Sequence, residues 1–419
     1  MQVTSMHFKA TASRKLRDAN LQAALRKLQG NFVRGRAERV RELDNFEAIR
    51  DAAAEIRDRA LAHLDVYLEE FERLATARGA IVHWAETHED VARIVCGIAR
   101  AHGVKKAVKS KSMVSEECAL NDALEAAGIE VVETDLGEYI LQLAKEPPSH
   151  IVAPVVHKTR DEALAHLDVY LEEFERLATA RGAIVHWAET HEDVATLMRL
   201  LRPHGTGQTI SNYVSVTTGV KGADDADGPE SFHVILVDAG RTQLIGGEMQ
   251  AMLRCIRCGA CMNHCPVYQS VGGHAYGWVY PGPMGAVLTP TYVGLENALD
   301  LPNAATFCNQ CGVVCPVKIP LPDLMRKLRE RQFERKLKPW TERAALALWS
   351  WAAQRPVIYA MMAAFGSRAL AWMGGARKRI RTLPFGGGWT DGRDLPAPQG
   401  RTFRELHCPG RPGASRNRA

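Results

Sequence analysis

The chain has 419 residues, of which 46% are hydrophobic, 24% are charged and 7% are aromatic. This composition excludes a disordered or fibrous protein, and the length allows two or three domains. The net charge is +5, but residues 339–419 hold 13 Lys and Arg residues against 4 Asp and Glu residues, so the remainder is mildly acidic. A basic tail on an acidic body is not the profile of a dedicated nucleic-acid-binding protein, and we expect no nucleic-acid partner.

Residues 1–58 are predicted to form a helical segment. Leu21, Leu25, Leu28 and Phe32 recur at a helical spacing, and we expect this apolar face to pack against the body of the protein. The start of the chain holds no apolar run of the kind found in secretory signals. We therefore expect a cytoplasmic protein.

Residues 59–248 alternate between strand and helix patterns, which predicts an α/β domain with a mostly parallel sheet. Thr87 and Asp90 predict a capping box at one helix start, and Gly103 and Gly128 predict two helix ends. The expected helices are Glu89–His102 and Val114–Ala127, and the expected strands are Ala80–Trp84, Val104–Val108, Ile129–Glu133, His150–Val156, Thr209–Thr217 and Phe232–Val237.

One segment of this domain occurs twice in the sequence. Residues 163–195 repeat residues 60–92 letter for letter. Two identical copies do not indicate a solenoid, which needs at least three repeats. We interpret the second copy as a recent duplication, a recombination or an assembly artefact of the sequence, rather than as a second functional site.

Seven of the ten cysteines lie within residues 249–338. The first run reads CIRCGACMNHCP and contains Cys255, Cys258, Cys261 and Cys265. This is the C-x2-C-x2-C-x3-C-P spacing of bacterial ferredoxins, in which three thiolates hold one cluster and the fourth serves a second cluster. Zinc sites usually need only two C-x2-C pairs, so the run favours iron–sulfur chemistry.

A second run, with Cys308, Cys311 and Cys315 before Pro316, ends like the first. When the two runs are aligned on Cys-Pro, Ala305 occupies the position of the first cysteine. If the last cysteine of each run binds the cluster of the other run, as in bacterial ferredoxins, the two runs predict two metal sites. Site 1 is expected to hold Cys255, Cys258, Cys261 and Cys315, and site 2 to hold Cys265, Cys308 and Cys311.

Site 2 lacks a fourth cysteine, so we expect either a [4Fe-4S] cluster with another fourth ligand or a [3Fe-4S] cluster. Cys96, Cys118 and Cys408 are not part of either run. Cys96 and Cys118 lie on expected helices and are predicted to be buried small hydrophobes. The long spacing between the runs and a helical pattern after Leu321 favour an α-helical ferredoxin module over a compact β-rich one.

Residues 339–419 are predicted to form a basic helical tail. Residues 356–375 are mostly apolar, but Arg368 interrupts them, and a charge at the centre of a membrane costs about 2.5–3.5 kcal/mol. We expect amphipathic helices that dock on a partner or contact the inner face of the membrane, where the string RKRIR (377–381) would favour anionic lipids.

With these motifs, the chain resembles the lactate-utilisation protein B family. The inter-run insert GGHAYGWVYPGPMGAVLTP (272–290) carries the most specific part of the resemblance. The other matching strings are KSKSMVSEE (109–117), ETDLGEYILQL (133–143), EPPSHIVAPVVH (146–157), LRCIRCGACMNHCPVY (253–268), the cysteine strings within 307–322, GGWT (387–390) and APQGRTF (397–403).

The resemblance implies an N-terminal LUD domain with a CoA-transferase-like α/β fold, followed by two [4Fe-4S] sites of which the second has three cysteines. It implies an iron–sulfur subunit of an L-lactate oxidation system, with LutA-like and LutC-like partner proteins. The chain departs from the family between His157 and Val194, where family members carry a longer stretch with glycine-rich strands. The LUD domain is therefore expected to be incomplete.

No nucleophile–base pair, phosphate-binding loop or dinucleotide fingerprint is visible, so we predict no catalytic residues. Lys109, Ser110, Lys111 and Ser112 form either an anion-binding strand end or a plain basic one. We predict an electron relay between a lactate-oxidising partner and an acceptor. The alternatives are a relay subunit of another dehydrogenase or reductase and a cluster-based redox regulator, for which no convincing helix-turn-helix is present.

Overall fold

The computed structural model describes residues 3–151, 153–155, 157–159, 219–223, 225, 228–384, 386, 390 and 394–407. The second repeat copy, the expected strand Thr209–Thr217 and Cys408 lie outside the described residues. The chain divides into two units, one ending at Arg335 and one beginning at Lys336. This division lies close to the boundary expected at residue 339.

Four helices precede the first strand, and the second of them carries the apolar period predicted for residues 21–32. Asp18 caps the second of them, and its Oδ1 accepts a hydrogen bond of 3.0 Å from the backbone N–H of Leu21. Leu21, Leu25 and Leu28 are buried along one face, so this helix packs on the body of the protein. The four helices are α1 (Phe8–Lys15), α2 (Ala19–Arg41), α3 (Phe46–Ala62) and α4 (Leu64–Ala77).

The α/β region contains two pairs of parallel strands. Strand β1 pairs with β4, with Ala80 opposite Phe232, and β2 pairs with β3, with Lys106 opposite Glu130. The expectation of parallel pairing is confirmed for the described strands of the α/β region. The elements are β1 (Ala80–Ala85), α5 (His88–Ala101), β2 (Lys106–Lys109), α6 (Met113–Glu117), α7 (Leu120–Ala126), β3 (Glu130–Glu133), α8 (Leu136–Ala144) and β4 (Phe232–Val237).

The predicted helix signals in this region are confirmed. Thr87 and Asp90 form the capping box before α5, with hydrogen bonds of 3.1 Å in both directions. Gly103 and Gly128 adopt φ values of 61° and 77°, which glycine adopts without steric cost at a helix end.

Two predictions here are wrong. The helix expected over Val114–Ala127 is broken into α6 and α7, because Ala119 lies in the left-handed region with φ of 50°. The strand expected over His150–Val156 is absent from the described residues of that range, which form bends and turns. Pro154 has no N–H for a strand ladder, and its carbonyl instead accepts the N–H of Ser149 at 3.1 Å.

The two cysteines of the α/β region are packing residues, as predicted. Cys96 is buried with Leu124, Ile129 and Val131. Cys118 is buried with Ala85 and Val91 in a second small core. Both thiols therefore belong to the packing of the α/β region.

The region that carries the cysteine runs is built from short helices, and its described residues contain no strand. Helix α2 packs on its first two helices, and α3 packs on the 3-10 turn Gln250–Arg254. The helices of this module are α9 (Ala260–Asn263), α10 (Pro266–Val271), α11 (Gly282–Tyr292), α12 (Gln310–Val313) and α13 (Leu321–Glu334).

The second unit contains two longer helices, α14 (Trp340–Ala353) and α15 (Pro356–Gly374). A short antiparallel pair, β5 (Arg379–Ile380) with β6 (Leu395–Pro396), and the helix α16 (Phe403–His407) follow them. Few of its described side chains are buried, Ala352 and Ile380 among them.

Because α2 supports the cysteine module, a cavity in its apolar face should destabilise the fold. Leu25 is 1% exposed, and Leu25→Ala is expected to lower the free energy of unfolding by about 2–5 kcal/mol. Leu16→Ala, at a residue that is 54% exposed, should change it by less than about 0.5 kcal/mol. Denaturant titration measures both, and equal effects would contradict this packing.

Candidate metal centre

Four cysteines line one small cavity. Cys255, Cys258 and Cys261 come from the first run, whereas Cys315 comes from the end of the second. Most of the remaining lining is apolar and includes Met252, Ile256, Met262, Met284, Ile319 and Leu321. The structure thus brings together the four residues expected at site 1.

Both cysteine runs use the same local design. In the first run Gly259 adopts φ of 80° and opens the one-turn helix α9, and in the second Asn309 adopts φ of 65° and opens α12. Asn is among the few residues besides Gly that enter this region readily. Helices α9 and α12 contact each other. Each run then ends in Cys-Pro, so each final cysteine follows a one-turn helix of the same kind.

The remaining three cysteines form a second group. The charges of Cys265 and Cys308 interact, and burial together with these two neighbours raises the pKa of Cys311 to about 12. Cys308 is exposed, and hydrogen bonds from the Gln310 N–H and the Thr306 hydroxyl lower its pKa. Of the three cysteines expected at site 2, Cys265 and Cys311 are thus buried and Cys308 lies at the surface, while Ala305 contributes no thiol.

The electrostatics of site 1 favour neutral thiols unless a cation is bound. Burial raises the pKa of Cys255 to about 11 and raises those of Cys258 and Cys261 further. Four thiolates in one apolar cavity would also repel one another. Only a bound group of high positive charge makes four thiolates favourable there.

Backbone N–H groups point at most of these sulfurs. The N–H of Arg257 lies 3.4 Å from the Cys255 Sγ, and the N–H of Ile319 lies 3.4 Å from the Cys315 Sγ. Burial raises the pKa of Cys258 and of Cys265, and backbone N–H groups just after each cysteine oppose this rise. At Cys308 such hydrogen bonds outweigh burial and lower the pKa. Hydrogen bonds to sulfur stabilise thiolate ligands and set cluster potentials.

Three arginines of the N-terminal helices surround site 1. The Nε and Nη2 of Arg50 donate to the Cys315 carbonyl at 3.0 and 2.6 Å. Burial lowers the pKa of Arg36 and of Arg57, and the nearby cysteine thiolates oppose this shift. The Nε atoms of Arg36 and Arg57 are buried, with no hydrogen-bond partner among the described residues. These cations would compensate a negatively charged cluster.

The insert between the runs shields site 1 from water. Tyr276 and Tyr280 are fully buried, and the Met284 Sδ lies 3.4 Å from the Cys255 Sγ. A Cβ atom at Gly285 would lie 1.6 Å from the Tyr280 carbonyl oxygen, so only glycine fits there. The insert therefore covers site 1, where the apolar lining lowers the local dielectric.

The predicted basic strand end does not offer free cations. Lys109 pairs with Glu133 at 2.6 Å and with Glu116 at 3.2 Å, and Lys111 pairs with the buried Glu138. The positive charges are therefore matched inside the fold, and the anion-binding interpretation is wrong for these two lysines. The sequence gives no signal for this pairing, because the three glutamates are separated from the lysines along the chain.

A buried carboxylate joins the α/β region to the insert, and sequence reasoning missed it. Glu117 has a fully buried side chain that accepts hydrogen bonds from His88 at 2.8 Å, from Arg241 at 2.7 Å and from the Tyr280 hydroxyl. Burial alone would raise the pKa of Glu117, but these partners outweigh it and lower the pKa to about 2. Glu117 thus helps to hold the covering insert in place.

The donor set fits iron–sulfur clusters better than a single ion. Among the described side chains, no three or more His, Cys, Asp or Glu groups form a site for one metal ion. A four-iron cube keeps its thiolates farther apart than zinc does, because the iron–sulfide core lies between them. Soft thiolates, N–H donors to sulfur and a dry cationic surround are what such a cluster requires.

Family comparisons agree with this chemistry. The chain matches a LUD domain over residues 68–171, a 4Fe-4S dicluster domain over residues 251–319 and the C-terminal family of lactate utilisation protein B over residues 325–408. A dicluster module joined to a LUD domain defines an iron–sulfur protein.

Relatives identify the family. The lactate utilization protein B of Lysinibacillus sphaericus is 35% identical, with 96% of this chain and 97% of the relative covered. That of an Exiguobacterium species is 36% identical over 93% of this chain and 94% of the relative. The uncharacterized electron transport protein YkgF of Escherichia coli is 34% identical over 96% and 97%. The chain belongs to the lactate utilisation protein B family, as its resemblance predicted.

The alignments also bear on the missing stretch. They run over 461 positions with the Escherichia coli relative and 465 with the Lysinibacillus one, more than the 419 residues of this chain. Since nearly all of each relative is covered, the relatives carry internal residues that this chain lacks. No solved structure matches the chain.

We expect the Glu117 network to make stability pH-dependent. Because folding lowers the pKa of Glu117 from 4.5 to about 2, its stabilisation is complete above pH 4.5 and is lost as the pH falls toward 2. At pH 7, Glu117→Gln should reduce the free energy of unfolding of the metal-free chain by about 3–5 kcal/mol, since Arg241 loses its buried partner.

The difference between the wild-type chain and Glu117→Gln should shrink between pH 5 and pH 3, as urea titrations would show. The control is Glu70→Gln, whose carboxylate pairs with Arg73 at the surface, and it should have little effect. A difference that stays constant with pH would contradict the assignment.

Proposed function

We propose that this protein is the iron–sulfur electron-transfer subunit of an L-lactate oxidation complex. The observation that carries the proposal is the interleaving of the two cysteine runs, which assembles four thiols in one cavity and three in a second group. The family name of the relatives supports lactate utilisation, and the name of the Escherichia coli relative supports electron transport.

Two clusters are the expected complement. Cys255, Cys258, Cys261 and Cys315 would hold a [4Fe-4S] cluster in site 1. Cys265, Cys308 and Cys311 would hold the second cluster, either a [4Fe-4S] cluster with a non-cysteine ligand or a [3Fe-4S] cluster. When bound, each such cluster takes up and releases one electron.

The stoichiometry of lactate oxidation suits this arrangement. The conversion of L-lactate to pyruvate releases two electrons and two protons, and the chain offers two one-electron sites. No candidate for proton abstraction was identified from the sequence, so we assign the oxidation itself to a partner. We propose LutA-like and LutC-like proteins as these partners, and the cytoplasm as the location of the complex.

The burial of the two sites suggests where electrons enter or leave. Site 1 is enclosed by the insert and by arginines of α2 and α3, whereas Cys308 of site 2 is exposed beside Phe307 and Val313, which are 40% and 57% exposed. Electron transfer between proteins requires a short distance between their redox centres. We therefore propose that site 2 exchanges electrons with the partner or acceptor.

We further infer that the LUD domain has the CoA-transferase-like fold of its class. The parallel pairs β1–β4 and β2–β3, with helices between successive strands, support this inference. The internal residues that relatives carry and this chain lacks would belong to that domain.

The interleaved ligand assignment predicts different losses for cysteines of the same run. Cys315→Ser should remove the cluster of site 1, although Cys315 is encoded in the second run, and Cys308→Ser should affect site 2 alone. Cys96→Ser is the matched control, because Cys96 is a packing residue of the α/β region. Iron and sulfide content with EPR spectra of the anaerobically purified variants measure this.

If Cys315→Ser and Cys308→Ser gave the same residual EPR spectrum, the interleaving would be wrong. Zinc in place of iron in the wild-type protein would refute the cluster assignment altogether.

The lactate assignment predicts a growth defect. A strain that lacks this gene should fail to grow on L-lactate as sole carbon source and should grow normally on glucose. The wild-type gene should restore growth, and a Cys258→Ser gene should not. Normal growth of the deletion strain on L-lactate would favour a relay subunit of a different dehydrogenase, with the cluster assignment unaffected.

A further inference from the structure

The second unit exposes an unusual amount of apolar surface. Among the described helices, the stretch Pro356–Arg377, which comprises α15 and a following 3-10 turn, is long and apolar enough to cross a membrane, yet only 6% of it is buried. A helix that is apolar on all sides is normally either enclosed by protein or surrounded by lipid. Low burial removes the first explanation for this helix within the described residues of the second unit.

Packing at the end of α15 argues against a simple membrane span. Arg368 on α15 lies 3.6 Å from Glu405, and Lys378 accepts a hydrogen bond of 3.0 Å from the backbone N–H of Ala397. A Cβ atom at Gly374 would lie 2.2 Å from that of Ala397. The segment around 394–407 therefore runs along the last turns of α15, where a spanning helix would meet hydrocarbon.

Aromatic residues and cations are placed as in proteins that lie on a membrane. Trp349, Phe365 and Trp372 are 61%, 75% and 84% exposed. Tryptophan favours the membrane interface, where its ring is buried and its N–H stays hydrated. Directly after α15 come four exposed cations, Arg377, Lys378, Arg379 and Arg381.

We propose that α14 and α15 form a surface that binds the anionic lipid headgroups of a membrane and lies in its interface without crossing it. Charge complementarity selects this occupant, because residues 339–419 carry a net charge of +9. Exposed tryptophans beside a polybasic string combine the two contributions, apolar insertion and headgroup attraction, that stable peripheral binding requires.

Flotation of the full-length protein with lipid vesicles tests this proposal. The protein should float with vesicles of phosphatidylcholine containing 30% phosphatidylglycerol and stay at the bottom of the gradient with phosphatidylcholine alone. High salt and carbonate should release it. Binding that survives carbonate would replace the proposal with a spanning helix.

Two sets of exposed substitutions separate the two contributions. The triple variant Arg377→Gln, Lys378→Gln and Arg379→Gln should lower the partition coefficient roughly tenfold or more. The matched control removes the same charge from the N-terminal helices, at Arg17→Gln, Arg26→Gln and Lys27→Gln, and should keep most of the binding. If both triple variants lost vesicle binding equally, binding would depend only on the net charge of the protein, and the proposal would be overturned.

Trp349→Ser with Trp372→Ser should weaken vesicle binding without changing iron content, since both side chains are exposed. Sedimentation velocity without lipid tests whether a second copy of the chain binds this surface instead. If the wild-type chain self-associates through this surface and the tryptophan variant does not, while neither floats with vesicles, the surface belongs to a second copy and the lipid proposal fails.

Discussion

The burial of four cysteine thiols around one apolar cavity is the constraint on which the rest of the structure depends. A thiolate is costly in such a place, and burial raises the pKa of Cys255 to about 11. The cost is offset from three directions. A bound iron–sulfur cluster would supply positive charge at the centre, while backbone N–H groups approach the sulfurs and arginines of α2 and α3 surround the site.

This constraint explains why distant parts of the chain meet at site 1. Arg50 comes from α3 and reaches the carbonyl of Cys315, and Glu117 comes from the α/β region and holds Tyr280 of the insert. The N-terminal helices therefore act as part of the metal centre rather than as a separate appendage. Site 2 differs in that Cys308 is exposed, whereas no cysteine of site 1 is.

The chemistry of the centre could be predicted from the sequence, because cysteine spacing and Cys-Pro endings act locally. The runs alone predict the grouping of the seven residues, and the four assigned to site 1 line one cavity. The assignment of the other three to site 2 stays a prediction. The helix caps at Thr87, Gly103 and Gly128 were predictable for the same reason.

Features that depend on tertiary contacts were not predictable. The pairing of Lys109 with Glu133 and of Lys111 with Glu138 joins residues that are more than 20 positions apart. The break at Ala119 and the loop at Pro154 are local, but helix and strand periodicity does not mark them. Likewise, no local pattern marks Arg36, Arg50 and Arg57 as neighbours of cysteines that lie at least 198 positions away.

The central claim is that the chain holds two neighbouring clusters of unequal ligation. Mössbauer spectroscopy of the full-length protein, grown on ⁵⁷Fe and purified without oxygen, tests it most directly. The account predicts two cluster components, one with four equivalent sulfur-ligated irons and one with a distinct iron site or only three irons. A single cluster component, or two identical ones, would contradict it.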